Sequence, residues 1–138
     1  MIILDTHVVS EPLRAHGNPA VQAWLDRQAL DTLYLTATSL SELLVGVEIL
    51  PEGRRRDGLA DALTQLILRL FETRVLAFDQ QAAMAYARVV GRARASGRHL
   101  SVADGQIAAI ATVHGFTVAT RDTAPFEAAG VPDVNPWA

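Results

Sequence analysis

The sequence predicts an α/β domain: a twisted, mostly parallel central sheet with helices on both faces. Three observations carry that prediction. Short apolar runs alternate with helical patterns along the chain, the arrangement of βαβ construction. The runs are continuously apolar instead of alternating, as strands covered on both faces are. No repeat, linker or low-complexity stretch interrupts them, so residues 1–138 read as one domain.

Residues 2–4 (Ile-Ile-Leu) read as a short buried strand. Thr6 to Arg14 starts as a helix that Pro12 disturbs. Pro19 to Ala29 reads as a helix with Asn18 as cap and Val21, Trp24 and Leu25 on one face. Leu33 to Thr36 is a strand. Ser39 to Leu50 is a helix, broken by Pro51-Glu52-Gly53, and Arg55 to Phe71 is a long amphipathic helix. Together they make a helical pair over residues 39–71 that a plain doubly wound fold lacks. Val75 to Phe78 is a strand, and Asp79 caps a helix to about Ala95. Ser101 opens another helix, which Gly115 ends in a left-handed turn. Thr117 to Thr120 is a strand, Asp122 to Ala129 holds a short helix, and Val131 to Val134 adds an edge strand.

Composition narrows the chemistry. Half the chain is hydrophobic and a fifth is charged, which supports a sizeable core. Cysteine is absent, which removes disulfides, thiolate nucleophiles and Cys-bound zinc. All 12 basic residues are Arg, so a P-loop lysine and Schiff-base chemistry are excluded. The same lack argues against a receiver-like signalling module, whose pattern needs a strand-end Lys. The start, Met-Ile-Ile-Leu-Asp, has no basic n-region, and no run approaches the roughly 18 apolar residues of a membrane span. A cytoplasmic location fits. The net charge of −3 argues mildly against a long phosphate-tracking surface.

Four acids stand where strands end or helices begin: Asp5, Glu42, Asp104 and Asp122. Parallel strands bring their carboxyl ends to one rim, where open α/β sheets bind ligands. Gathered carboxylates suit a hard cation such as Mg²⁺ or Mn²⁺. Such an ion removes their mutual repulsion and activates water for attack on phosphorus. Each acid also has a capping alternative. Ser39-Leu40-Ser41-Glu42 matches a capping box, and Ser101-Val102-Ala103-Asp104 has a similar shape. Asp5 and Asp122 can each cap the helix that follows. Jointly the caps explain less, because a carboxylate ending a buried strand is costly unless paired.

These segments resemble a known family. Met1 to Pro12, with Asp5-Thr6-His7, is similar to the opening of PIN-domain toxins. Ser39 to Leu43, Ser101 to Ala111 and Ala119-Thr120-Arg121-Asp122 resemble its other three motifs, and Val134-Asn135-Pro136-Trp137 its tail. Four motifs in order, from residue 1 to about 137, point to the VapC/FitB-like branch of bacterial type II toxin–antitoxin systems. The resemblance implies a PIN-like fold and a Mg²⁺- or Mn²⁺-dependent endoribonuclease acting on structured RNA such as tRNA or rRNA. It also implies a homodimer and neutralisation by a cognate VapB-type antitoxin. Asp5, Glu42, Asp104 and Asp122 become the acidic quartet. Asp5 and Asp104 are first choices as direct ligands, Glu42 and Asp122 act through water or orient the attacking water, and Thr6 and Thr120 match hydroxyl positions beside the site. Two departures stand out. His7 replaces the usual Asn, and Thr123-Ala-Pro-Phe126 leaves Asp122 as the only acid before Glu127.

Among basic residues, Arg88, Arg92, Arg98 and Arg121 are candidate RNA contacts. Arg54-Arg55-Arg56 reads equally as a solvated helix start or as a patch facing RNA or antitoxin. The few aromatics fit core positions, and His16, His99 and His114 lack metal-ligand spacing. Two other functions stay open. One is a catalytically silent interaction module whose acids are only caps. The other is a metal-dependent phosphatase or DNA nuclease using the same site.

Overall fold

Ile2–Leu4 forms strand β1 and lies at the centre of the sheet. The computed structural model describes residues 1–138. Strands β2 (Leu33–Thr36), β3 (Val75–Leu76), β4 (Thr117–Ala119) and β5 (Asp133–Val134) complete a five-stranded sheet ordered β3-β2-β1-β4-β5. Every neighbouring pair is parallel, so the mostly parallel sheet of the sequence reading is wholly so. Ile3 sits opposite Tyr34 on one side and Val118 on the other. The edge strands are shorter than expected, two residues each, which limits the unpaired backbone they expose.

Seven helices cover the two faces. They are α1 (Thr6–Ser10), α2 (Pro19–Asp26), α3 (Ala37–Glu48), α4 (Arg54–Leu66), α5 (Gln80–Ala95), α6 (Val102–His114) and α7 (Ala124–Ala129). Pro12 cannot continue α1, and Glu11–Leu13 tightens into a 3₁₀ turn. The expected helix over 55–71 divides into α4 and a π-helical turn at Ile67–Phe71. That turn leaves Leu68 in solvent and buries Phe71. Gly115 ends α6 at φ 69°, where a side chain would be strained.

Alternation along the strands sorts the core into two layers. Ile3 and Val118 face a cluster built from α5, α6 and α7, with Ile107, Ile110 and Phe126 fully enclosed. Leu4, Leu33, Leu35 and Ala119 face the other cluster, with Val8, Val21, Leu63 and Phe71. Helices α5 and α6 approach closely through Gly105, where an added Cβ would lie 2.7 Å from the Tyr86 ring. Phe126 is 1 % exposed. Phe126→Ala is expected to cost about 3–5 kcal/mol, read as a lower denaturant midpoint at unchanged slope. No helix is long and apolar enough to cross a membrane.

Candidate active site

The chain leaves β1 toward β2 and reaches β4 on the other side, so the connections diverge at β1. Open α/β sheets bind ligands at such a point, beyond the carboxyl ends of the strands. Asp5 occupies it. Its amide still donates to Ala119 O (2.9 Å), which keeps it in the sheet ladder. Its Oδ1 accepts from the Thr6 amide at 2.8 Å, capping α1, and its Oδ2 accepts from the Thr120 hydroxyl at 2.9 Å. Both Asp5 and Thr120 are buried. Thr120 follows directly on β4, so one hydrogen bond ties the ends of two central strands together.

Glu42 does not cap its helix. Thr36 does, its hydroxyl accepting from Ser39 N at 3.0 Å, so α3 starts at Ala37 and Glu42 lies in its second turn. That geometry overturns the capping-box alternative. Glu42 is exposed, and its Oε1 accepts from the Thr6 hydroxyl at 2.8 Å. Thr6 therefore links α1 to α3 beside Asp5. Asp122 does not cap either, because α7 begins at Ala124 with no side-chain cap. Its exposed carboxylate lies 4.0 Å from Arg98, while the Thr120 hydroxyl reaches its backbone carbonyl at 3.4 Å.

Asp104 stands in the first turn of α6, where the Ser101 hydroxyl accepts from its amide at 3.1 Å. Its carboxyl is pushed above the ordinary 3.8. Burial is the main cause, the Asp5 charge the next, and Asp122 and Glu42 add to it against an opposing Ser101 hydrogen bond. All four acids therefore share one field. They are not a preassembled cage: no three Asp, Glu or His side chains converge to hold an ion.

Two further residues, not singled out in the sequence, brace the site. Gln106 accepts from the Thr38 hydroxyl at 2.9 Å, joining α6 to α3 near Asp104 and Glu42. Their only sequence signal is position, two residues beyond Asp104 and four before Glu42. Glu11 is buried, with Oε1 accepting from Asn18 N at 2.8 Å, and it closes the loop between α1 and α2.

The candidate basic residues scatter. Arg98 is at the rim by virtue of Asp122. The Arg121 guanidinium sits over the Trp137 ring, 5.4 Å from its centroid, and pairs with no carboxylate. Arg88 is exposed on α5. The Arg92 guanidinium packs on Gly130, so close that an added Cβ would lie 2.5 Å from its Cζ. Gly130 ends α7 three residues before β5 begins, at the amino end of the parallel strands and not at the carboxyl end where Asp5 stands. His7 is exposed and lines a groove beside α1.

Comparison with known proteins agrees with this architecture. The PIN-domain profile matches residues 2–131. The chain belongs to the PIN-domain family. It is 50 % identical over 137 residues to the plasmid stability protein StbB of Pseudomonas syringae pv. tomato, covering 99 % of each chain. It is 47 % identical to VapC ribonuclease Y4jK of Sinorhizobium fredii, covering 99 % of this chain and 98 % of that one. Toxin FitB of Neisseria gonorrhoeae is also 47 % identical, with 99 % of each covered. Among solved structures, FitAB bound to an IR36 DNA fragment superposes with a TM-score of 0.96 at 46 % identity, covering all of this chain and 96 % of that one. These relatives place this PIN domain in the VapC/FitB-like branch.

Proposed function

We propose that this PIN domain is the toxin of a toxin–antitoxin pair, an endoribonuclease dependent on Mg²⁺ or Mn²⁺ and neutralised by a VapB-type antitoxin. The observation that carries the reading is Asp104, at the diverging point of a parallel sheet, whose carboxyl is raised first by burial and then by Asp5, Asp122 and Glu42. Stored repulsion of that kind favours a site that takes up a cation. The names of two relatives, a VapC ribonuclease and a toxin, support the substrate and the role.

Asp5 and Asp104 would hold the ion directly, and Glu42 and Asp122 through water. The ion would supply positive charge to a phosphate oxygen and lower the pKa of water beside it. The protein supplies the rest. Thr120 and the Thr6 amide fix both oxygens of Asp5 in place. The Thr6 hydroxyl orients Glu42 toward the same space. Arg98 is placed to take an RNA phosphate at the rim, with Arg88 and Arg121 as outer contacts. A homodimer is part of the proposal, and exposed Leu44 and Val45 on α3, with Ile49 just past its end, offer apolar surface for it.

Induced expression is expected to arrest bacterial growth, and coexpression of the cognate antitoxin to restore it. The purified protein is expected to cut RNA in Mn²⁺ and not in EDTA. Cleavage of DNA alone would move the reading to a DNA nuclease. No nucleolytic activity with any divalent ion would leave a silent interaction module.

A further inference from the structure

Every strand of the sheet runs the same way, so the end of β5 delivers residue 135 to the rim where Asp5 stands. The β4–β5 ladder continues one step past the strands, with Thr120 N donating to Val134 O at 2.9 Å. Just beyond lie Arg121 and Asp122, both exposed. Neither of their amides donates to a backbone carbonyl, and α7 does not begin until Ala124. Two hydrogen bonds to carbonyls hold this stretch instead. The Thr120 hydroxyl reaches Asp122 O at 3.4 Å, and Asn135 Nδ2 donates to Arg121 O at 3.3 Å.

Local chemistry fixes Asn135 in turn. Its Oδ1 accepts from Trp137 N at 2.9 Å, the Asx-turn that asparagine favours. Ala138 N donates to Asn135 O at 3.2 Å, closing a β-turn whose second residue is Pro136, where its fixed φ fits. Pro136 is buried, and the half-buried Trp137 packs on the core layer that contains Leu4 and Ala119. The Arg121 guanidinium lies over the face of the same indole. The turn is therefore anchored in the core, and it grips residue 121 by both main chain and side chain. Asn135 needs both ends of its amide for this: the oxygen for its own turn, the nitrogen for Arg121. Aspartate has the same shape but no donor.

We propose that the turn at Asn135–Trp137 is a positioning element of the carboxylate site, with Asn135 fixing where the Asp122 carboxylate stands. The proposal rests on the metal-dependent reading above and deepens it. Asp122 caps no helix, and its carboxylate has only a 4.0 Å approach to Arg98 to orient it. Its place relative to Asp5 and Asp104 is thus set by its backbone, and Asn135 holds that backbone from the side away from Thr120. Groups that orient metal ligands from outside are worth about 10–100-fold in metal affinity or activity.

The test is calorimetric titration of the full chain with Mn²⁺ alone, together with Mn²⁺-dependent RNA cleavage and the melting temperature of the metal-free protein. Two variants remove the donor and keep an acceptor for the turn: N135D, and N135S, whose hydroxyl is too short to reach Arg121. Both are expected to raise the Mn²⁺ Kd about tenfold. In N135D the added negative charge alone would tighten cation binding, so a weaker Kd there reports displacement of Asp122. N135S should also lower kcat about tenfold with KM within about twofold. In a D122N background N135S should change Kd by less than about twofold further, because the two act as one unit. Should N135D not fold, N135S decides alone. An unchanged Kd in the variants, whatever their melting temperature, would overturn the role and leave the turn a closure of the fold, with the metal-dependent nuclease standing. A tenfold effect of N135S that persists in D122N would also overturn it, since the effect would not pass through Asp122. If wild type binds no Mn²⁺, the metal-dependent reading fails, and this role falls with it.

Discussion

Asp104→Asn should abolish RNA cleavage while raising the melting temperature of the metal-free protein. The two effects have one origin. Burial and three nearby carboxylates hold the Asp104 carboxyl above its ordinary 3.8. A folded-state pKa above the unfolded value means that the native state binds more protons between the two, so stability falls as pH rises through that window. At neutral pH the wild type carries the full penalty. Asparagine carries none, and it leaves the Ser101 cap intact because that bond uses the Asp104 backbone amide. Each kcal/mol relieved should raise Tm by about 3–5 °C for a chain of this size. The advantage should shrink as pH falls toward 4. Loss of a charge placed to hold the ion should cost at least about a hundredfold in activity, since removing mere outer partners of metal ligands costs 10–100-fold. A variant equally toxic in cells, or less stable at neutral pH, would contradict the assignment.

Divalent ions should reverse the wild-type penalty, and Asp5→Asn should prevent the reversal. An ion at about 100 times its Kd adds about 2.7 kcal/mol to the folded state, a shift on the order of 10 °C. Asp5→Asn suits the control because the site can absorb it. An amide oxygen can still cap the Thr6 amide. The Thr120 hydroxyl, which now donates to Asp5 Oδ2, can turn to accept from the new NH₂ and donate instead to Asp122 O, already 3.4 Å away. The fold is thus expected to persist while the central charge is lost. Thermal-shift curves in Mn²⁺ should rise for wild type and stay nearly flat for Asp5→Asn. Equal response of the two would remove Asp5 as a ligand.

Much of this architecture was legible in residue order because local and tertiary preferences agree. Asn18-Pro19, Asp79, Ser101 and Gly115 mark helix ends chemically, and the structure uses each as expected. The apolar runs became strands because both faces of the sheet are covered. The failures lie where several residue types compete for one role. Thr36 and Ser39 are both capping residues, three positions apart, and only the fold shows Thr36 taking the amide while the Glu42 carboxylate turns to Thr6. The π-turn before Phe71 has no local signal; it arises from the demand to bury that ring. The packing of the Arg92 guanidinium on Gly130, 38 positions away, is likewise a contact that no spacing rule reveals. Within the acidic quartet the positions were readable, whereas the Thr38–Gln106 brace was not, because hydroxyl–amide pairs leave no charge pattern.

The bond between Asp5 and Thr120 spans 115 residues, and β1, the first strand made, needs β4 as a central neighbour. Such distant closure is the slow part of folding. During synthesis, then, the first carboxylate emerges early and waits without its partners until almost the last residue has been added. A half-made chain carries Asp5 and Glu42 but neither Asp104 nor Asp122, so chain order alone holds back the proposed activity until the rim can assemble.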